Sequence, residues 1–147
     1  MKTNIIVLLF FINVFSSCAF ADNIFDVTQQ AKESFKKQYP GALYAKWETL
    51  ADGITYSVRF VHNNQTLVAY YEEDGSSIGF ARVVSIDKLP LKVKAVIDSK
   101  FTDCKILSMQ ELILHDKHLF YFNVVNREEK WFIGINSNGK IRQKKKI

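Results

Sequence analysis

Two histidines three residues apart, His115 and His118, come nearest to a metal-binding pattern in this chain, and Asp116 lies between them. A structural zinc ion needs four protein ligands, and a catalytic zinc ion needs three with one open position. The third histidine, His62, is far away in the sequence, and no cluster of cysteine or glutamate completes a ligand set. The pattern therefore favours a solvent-exposed hairpin tip, and the sequence predicts no metal and no cofactor.

The residue pattern also gives little support for catalysis by a nucleophile or by acid–base groups. A nucleophile needs a base within hydrogen-bond reach and a group that orients the base, and no serine lies in such a motif. The acidic residues at 72–74 and 128–129 fall at predicted turns, where carboxylates are solvated. Cys104 lies among apolar residues and is expected to be a small buried hydrophobe. The sequence predicts that the protein is not an enzyme.

Two helical stretches are indicated by apolar residues that recur every four positions, a spacing that places them on one helix face. The second stretch begins 62 positions after the first, and the alternating strand pattern over 56–60 recurs 64 positions later over 120–124. The two apolar stripes are Val27, Ala31, Phe35 and Tyr39, and Leu89, Val93, Ile97 and Phe101.

This double pattern predicts an α+β fold: a tandem repeat of one helix followed by a four-stranded antiparallel meander, with the helices packed on one sheet face. The repeats would cover about 24–84 and 86–143, within a single domain of residues 22–147. Turn signals such as Asp52-Gly53 and Asp74-Gly75 separate the predicted strands. Because a lone sixty-residue half would bury only about 60% of its surface, the halves are expected to share a core or a continuous sheet.

The first 21 residues have the three parts of a secretory signal peptide. Lys2 is followed by an apolar run and then by the small-residue site Ala19-Phe20-Ala21, so cleavage is predicted after Ala21. The run is too short to span a bilayer, which needs about 20 residues. The predicted location is therefore the periplasm or the medium. A lipoprotein anchored through Cys18 is the alternative.

The positive charge is concentrated at the C-terminus. The formal net charge of +5 falls to +4 without Lys2, and the last eight residues hold five basic residues and no acid. A nucleic-acid binder would carry a basic face on the fold itself, so no nucleic-acid partner is predicted. The tail is expected to be a solvated end. The alternative is a weak contact with an anionic surface through Lys144, Lys145 and Lys146.

Aromatic residues give the best indication of function. If Tyr56, Val58 and Phe60 face a helix, then Arg59 points to the other side of the sheet, and the matching pattern places Tyr121 there too. Tyr, Trp and Arg are enriched among the residues that dominate protein-binding energetics. The candidate binding residues are therefore Trp47, Arg59 and Tyr121, and an ordinary half-solvated sheet face is the alternative.

The chain resembles the PepSY-like family of exported bacterial proteins in several of its motifs. The resemblance rests on Phe35 to Ala42, on Trp47 and Gly53-x-x-Tyr56-x-Val58-x-Phe60, on Ala69-Tyr70-Tyr71 before Asp74-Gly75, and on Leu89-Pro90. It implies a fold similar to beta-lactamase inhibitory protein and no catalytic residues.

The function expected from these patterns is that of an exported, non-catalytic binding module for a protein or peptide. The resemblance implies inhibition or regulation of a secreted or periplasmic protein, such as a peptidase. Two alternatives remain open: an envelope lipoprotein or surface-associated structural protein, and a small-ligand carrier.

Overall fold

The computed structural model describes residues 26–147, so the predicted signal peptide, its cleavage site and Cys18 lie outside the described residues. The described part has two helices and eight strands, joined by short turns. No helix within 26–147 is long and apolar enough to cross a bilayer. The elements are α1 Gln29–Gln38, β1 Leu43–Thr49, β2 Thr55–His62, β3 Gln65–Glu72, β4 Ser77–Val83, a 3-10 turn Ile86–Lys88, α2 Leu91–Lys100, β5 Lys105–Leu114, β6 His118–Asn126, β7 Glu129–Asn136 and β8 Ile141–Lys146.

The predicted tandem repeat of a helix and a four-stranded meander is wrong. The eight strands form one antiparallel sheet in the order β1 to β8, so the protein is mostly sheet with only two helices in the described range. The decisive contact is between β4 and β5, which pair from Gly79–Leu114 to Val83–Gln110. A separate meander would leave the backbone N–H and C=O groups along β4 and β5 unpaired, and pairing the two strands satisfies them. The sheet therefore continues past α2 instead of ending before it.

Two compact units are found in the chain: residues 26–62 with 69–78, and residues 63–68 with 79–147. In the first unit, α1 buries Ala31 and Phe35. The Phe35 ring meets Phe60 edge-on, with ring centroids 4.8 Å apart, and also contacts Tyr71 at 6.5 Å. Edge-to-face pairs of this kind add to the stabilisation that burial alone provides, so α1 is held on the sheet by an aromatic cluster.

In the second unit, α2 packs an aliphatic stripe on the sheet. Val93 and Ile97 are the buried residues of the helix. They belong to one apolar cluster with residues of β6 and β7, which alternate along their strands and therefore point to the same side of the sheet. The buried members of this cluster are Leu89, Val93, Ile97, Phe101, Phe120, Phe122, Val124, Ile133 and Ile135.

The β3–β4 turn is pressed against the first turn of α1. Thr28, the N-cap of α1, donates a hydrogen bond from its hydroxyl to the carbonyl oxygen of Glu73 at 2.7 Å. Gly75 has a φ of +86°, and a Cβ at this position would lie 2.7 Å from the carbonyl oxygen of Gln30. Glycine is needed here for two reasons, the left-handed backbone and the close approach of the helix.

We expect Gly75→Ala to reduce the free energy of unfolding more than Gly53→Ala does. Both glycines have left-handed φ values, but a Cβ at Gly53 would meet no atom within 4 Å. The left-handed backbone should cost about 1–2 kcal/mol in each variant, and the collision with α1 should add about 1–3 kcal/mol for Gly75 only. Urea unfolding of the two variants measures the difference. Equal losses would mean that the turn does not press on α1.

Candidate functional site

Trp47 lies on the side of the sheet that α1 covers. Its partner in the register is Val58 on β2, and its indole ring contacts Phe35 edge-on with centroids 5.5 Å apart. A second aromatic contact joins it to Tyr71 at 5.9 Å. Trp47 is half-buried and packs beside the helix, so its role in binding a partner stays a prediction.

Arg59 points to the other side of β2. It is paired with Lys46 of β1 and lies between Val58 and Phe60, which are both buried. Burial raises the pKa of the nearby Tyr70 phenol far above its usual range, and the positive charge of Arg59 partly offsets that rise. Arg59 is therefore a half-buried cation beside a buried tyrosine rather than a solvated side chain.

Tyr121 lies on what we call the far face, the side of β4 to β8 opposite α2. Its partners across the sheet are Gln110 on β5 and Gly134 on β7. The far face is formed by Ala81, Ser108, Gln110, Leu112, Leu119, Tyr121, Asn123, Phe132, Gly134 and Gln143, which the strand registers place on one side.

The Tyr121 ring is packed tightly within the far face. It stacks on Phe132 with centroids 5.0 Å apart and an interplanar angle of 14°. A Cβ at Gly134 would lie 2.8 Å from Cε1 of the ring, so the ring lies flat across the backbone of β7. Only 6% of the residue is exposed, and burial raises the pKa of the phenol well above its usual range. The centre of this face is therefore buried. An ordinary half-solvated sheet face is the alternative to a binding face in the sequence analysis, and the burial of Tyr121 differs from that alternative.

Three buried polar atoms on the far face have no hydrogen-bond partner among the described residues: the Tyr121 hydroxyl, Asn123 Oδ1 and Gln143 Oε1. The amide nitrogen of Asn123 is satisfied, because Nδ2 donates to Ser108 Oγ at 2.8 Å. Gly134 pairs with both Tyr121 and Gln143, so these two residues lie on either side of the same β7 position. We call Tyr121, Asn123 and Gln143 the polar triplet. Two carbonyl oxygens can accept and one phenol can donate or accept hydrogen bonds, but all three atoms are buried, so a bound molecule reaches them only when neighbouring side chains move.

The sequence identifies part of this triplet. Alternation from Phe120 and Phe122 places Tyr121 and Asn123 on the same face. Gln143 is not among the candidate residues, because it falls where the second repeat is expected to end and a solvated basic tail to begin. In the structure β8 continues through this point and pairs with β7 over Gln143 to Lys146. The signal that could have placed Gln143 beside Gly134 is the turn at Asn138-Gly139, from which the pairing of the two strands can be counted.

The three C-terminal lysines do not form one basic patch. Lys144 lies with its Nζ 4.9 Å from the centre of the Trp131 ring and 6.0 Å from that of Phe101, which is cation–π geometry. Lys146 donates from Nζ to Glu129 Oε1 at 2.5 Å. Lys145 faces the opposite side of the strand, paired with Phe132. Because side chains alternate along β8, Lys144 and Lys146 lie on one side and Lys145 on the other. The predicted contact with an anionic surface therefore cannot use all three lysines on one side.

The two histidines of the pair, His115 and His118, have different surroundings. His115 is exposed at the β5–β6 turn, whereas Nε2 of His118 lies 2.5 Å from Glu111 Oε1. Glu111 is buried, and its other oxygen accepts a hydrogen bond from Arg82 Nε at 2.5 Å. Within residues 26–147, no group of three or more histidine, cysteine, aspartate or glutamate residues is placed to hold a metal ion. Glu111 joins β4, β5 and β6 through an ion pair with Arg82 and a close polar contact with His118, which the sequence pattern does not predict.

The space beneath α2 is closely packed. It is lined by apolar side chains of the helix and the sheet and has no room for a water molecule. The helix and the sheet are therefore in direct contact through this cluster. The lining residues are Ile97, Phe101, Ile106, Phe122, Val124, Ile133 and Ile135.

Comparison with known proteins finds similarity in structure only. No family model matches the chain, and no curated protein sequence matches it. A candidate periplasmic protein from Bacteroides eggerthii superposes with a TM-score of 0.75 at 18% identity, over 83% of this chain and 90% of that one. A protein of the DUF2874 family from Bacteroides uniformis gives 0.73 at 14% identity, over 81% and 88%.

A BLIP-like protein from Bacteroides fragilis also superposes, with a TM-score of 0.71 at 18% identity over 85% of this chain and 89% of that one. At this level of identity the similarity establishes the fold alone. The chain therefore has a BLIP-like fold. Membership of the PepSY-like family stays a prediction.

We expect opposite effects on stability from two Tyr→Phe substitutions. Tyr71→Phe removes a hydroxyl that donates to Gln38 Oε1 at 2.8 Å, which should lower the free energy of unfolding by about 0.5–1.5 kcal/mol. Tyr121→Phe removes a buried hydroxyl that lacks such a partner, which should leave stability unchanged or raise it by about 1–3 kcal/mol. Thermal and urea unfolding measure both variants. A loss at Tyr121 equal to that at Tyr71 would show that its hydroxyl is hydrogen-bonded in the free protein.

Proposed function

We propose that this protein is an exported, non-catalytic module that binds a protein or peptide through the far face, with the polar triplet as the recognition site. The observation that carries the proposal is the set of three buried polar atoms without a partner among the described residues, on adjacent positions of one sheet face. The candidate binding residue of the sequence analysis that belongs to this site is Tyr121. Arg59 and Trp47 lie in the other unit and are not needed for it.

The physical argument rests on the cost of leaving a polar group buried and unpaired. Such a group costs about 1–3 kcal/mol, so three of them on one face form an unfavourable set in the free protein. A partner that donates hydrogen bonds to Asn123 Oδ1 and Gln143 Oε1 removes that cost as it binds. The stacked rings of Tyr121 and Phe132 supply a rigid apolar floor between the acceptors. Rigid aromatic groups lose little conformational entropy on binding, which favours recognition over catalysis.

The similar structures support the same proposal. One of them is a BLIP-like protein, and another is a candidate periplasmic protein. The predicted signal peptide would bring this chain to the same compartment. We infer that the chain is a divergent member of the PepSY-like group and that its partner is a secreted or periplasmic protein, such as a peptidase, that it inhibits or regulates.

We expect Tyr121→Phe to weaken binding of that partner about two- to tenfold, the range for one hydrogen bond. The partner is captured from periplasmic extract on immobilised protein, identified by mass spectrometry, and titrated by calorimetry against wild type and variant. Tyr71→Phe is the matched control, because its hydroxyl is bonded within the first unit, and should bind as wild type. If Tyr121→Phe kept the affinity of wild type for every captured partner, the far face would not be the binding surface.

The alternative of a lipoprotein depends on processing at Cys18 instead of after Ala21. We expect intact mass measurement of the exported protein to give a chain that begins at Asp22. A chain that begins at a lipid-modified Cys18 would contradict soluble export and place the protein at a membrane surface. The binding proposal for the far face would be unaffected.

A further inference from the structure

The two edge strands of the sheet, β1 and β8, each contain one break in register. β1 is interrupted between Leu43 and Lys46, where its register with β2 shifts, and Tyr44 has a left-handed backbone with φ of +57°. A bulge of this kind ends regular pairing on an edge. β8 also shifts its register with β7 once, between Ile141 and Gln143, and then keeps an unbroken register from Gln143 to Lys146. No described strand pairs with the other side of β8.

The backbone groups that β8 turns outward can be identified from its register. Ile147 N donates to Lys130 O at 3.0 Å, so this pair is a hydrogen-bonded one. In an antiparallel ladder such pairs alternate with pairs that are not hydrogen-bonded. Lys145 and Gln143 therefore direct their N–H and C=O groups to β7, while Lys144 and Lys146 direct theirs away from the sheet. These two residues present a row of backbone donors and acceptors with the spacing of a strand.

The charge of β8 determines which kind of strand can pair with the outward backbone groups of Lys144 and Lys146. The segment 140–147 holds five basic residues and no acid. A second copy of β8 laid along the first would place like charges opposite each other, which is destabilising. Lysines on an edge prevent self-association in this way. The same lysines attract a strand of opposite charge, since opposite charges across a strand pair are favourable.

We propose that β8 is a second binding surface, which adds an extended acidic segment of a partner protein as a ninth strand. The main-chain groups of Lys144 and Lys146 supply the hydrogen bonds of the added strand. Acidic side chains of the added strand lie beside Lys145 on the far face and beside Lys146 on the opposite face. The existing pair of Lys146 with Glu129 is more than half exposed on both sides, so it is weak and can be exchanged for a partner carboxylate. This surface does not depend on the polar triplet.

The first test uses an acetylated eight-residue peptide in which pairs of adjacent glutamates alternate with valine–threonine pairs, so that glutamates lie on both faces of the added strand. It is labelled and titrated with the exported form of the chain by fluorescence anisotropy. We expect binding that Lys145→Gln weakens about two- to fivefold through the loss of one cross-strand charge pair. Lys144→Pro should weaken it at least about tenfold, because proline removes an outward N–H and cannot pair on that side. The matched variant Lys144→Gln keeps the N–H and should weaken binding no more than Lys145→Gln.

Two control variants distinguish strand addition at β8 from binding elsewhere on the protein. Tyr121→Phe should bind the acidic peptide as wild type does, so a failure of the far-face proposal leaves this test intact. Lys36→Gln removes one exposed charge from α1 and should also have no effect. Equal losses in Lys144→Pro and Lys144→Gln would overturn strand pairing in favour of simple electrostatic attraction. The absence of binding to the peptide would overturn the proposal outright.

Hydrogen exchange gives a readout that does not depend on how well the proline variant folds. In the wild-type protein, the added peptide should slow amide exchange at Lys144 and Lys146, whose N–H groups point outward. The amide of Lys145 already donates to β7 and should change little. Unchanged exchange at Lys144 and Lys146, at a peptide concentration that saturates the anisotropy signal, would contradict the proposal.

Discussion

The pairing of β4 with β5 is the constraint on which the rest of the structure depends. It joins the strands into one sheet and leaves that sheet with two edges, β1 and β8. The link is reinforced on the α2 side by Glu111, which is buried between Arg82 and His118. A buried carboxylate is tolerated only when it is paired and hydrogen-bonded. The same three strands therefore share both a backbone ladder and an ionic contact, and the far face exists because the ladder is continuous.

The far face combines two properties that a stable core does not usually combine. Its centre is as well buried as the apolar cluster beneath α2, yet it retains polar atoms that find no partner within the described residues. Buried polar groups in native proteins are almost always satisfied. Positions where a sequence departs from the rules of stable packing are commonly functional. Tyr71 is also buried, but its hydroxyl donates to Gln38, which is the ordinary arrangement that Tyr121 lacks among the described residues.

Local patterns predict the elements better than the way they assemble. The spacing of Ala31 and Phe35, and of Val93 and Ile97, is enough to place both helices, because burial of one helical face follows a period that the sequence contains directly. The β4–β5 contact cannot be predicted in this way, since it joins residues about thirty positions apart and depends on edge pairing rather than periodicity. The sequence pattern predicts a tandem repeat of a helix and a four-stranded meander whose halves share a core or a continuous sheet, and the structure contradicts that repeat with one eight-stranded sheet.

The sequence predicts those residues of the candidate site whose position follows from the alternation of side chains along a strand, and it does not predict the others. The position of Tyr121 follows from its buried neighbours, but the lack of a hydrogen-bond partner for its hydroxyl within residues 26–147 is a property of three-dimensional packing that no sequence pattern reveals. Gln143 is missed because it precedes Lys144 to Lys146, and a run of lysines is typical of a solvated tail. The physical reason lies in the side chains: Lys144 packs its cation on Trp131, so a lysine-rich segment can form a strand without burying a charge.

The broken edge at Tyr44 determines how far assembly through the sheet can proceed. Fibres grow when each molecule offers two regular edges, because every added copy then presents a fresh edge to the next. Here the left-handed backbone of Tyr44 interrupts β1, and the like charges of β8 repel an identical strand. Under the proposal of strand addition, a foreign strand would pair with β8, and the interrupted edge at β1 would not continue the pairing. Strand addition at β8, as proposed, would therefore end the sheet with one added strand rather than start a fibre.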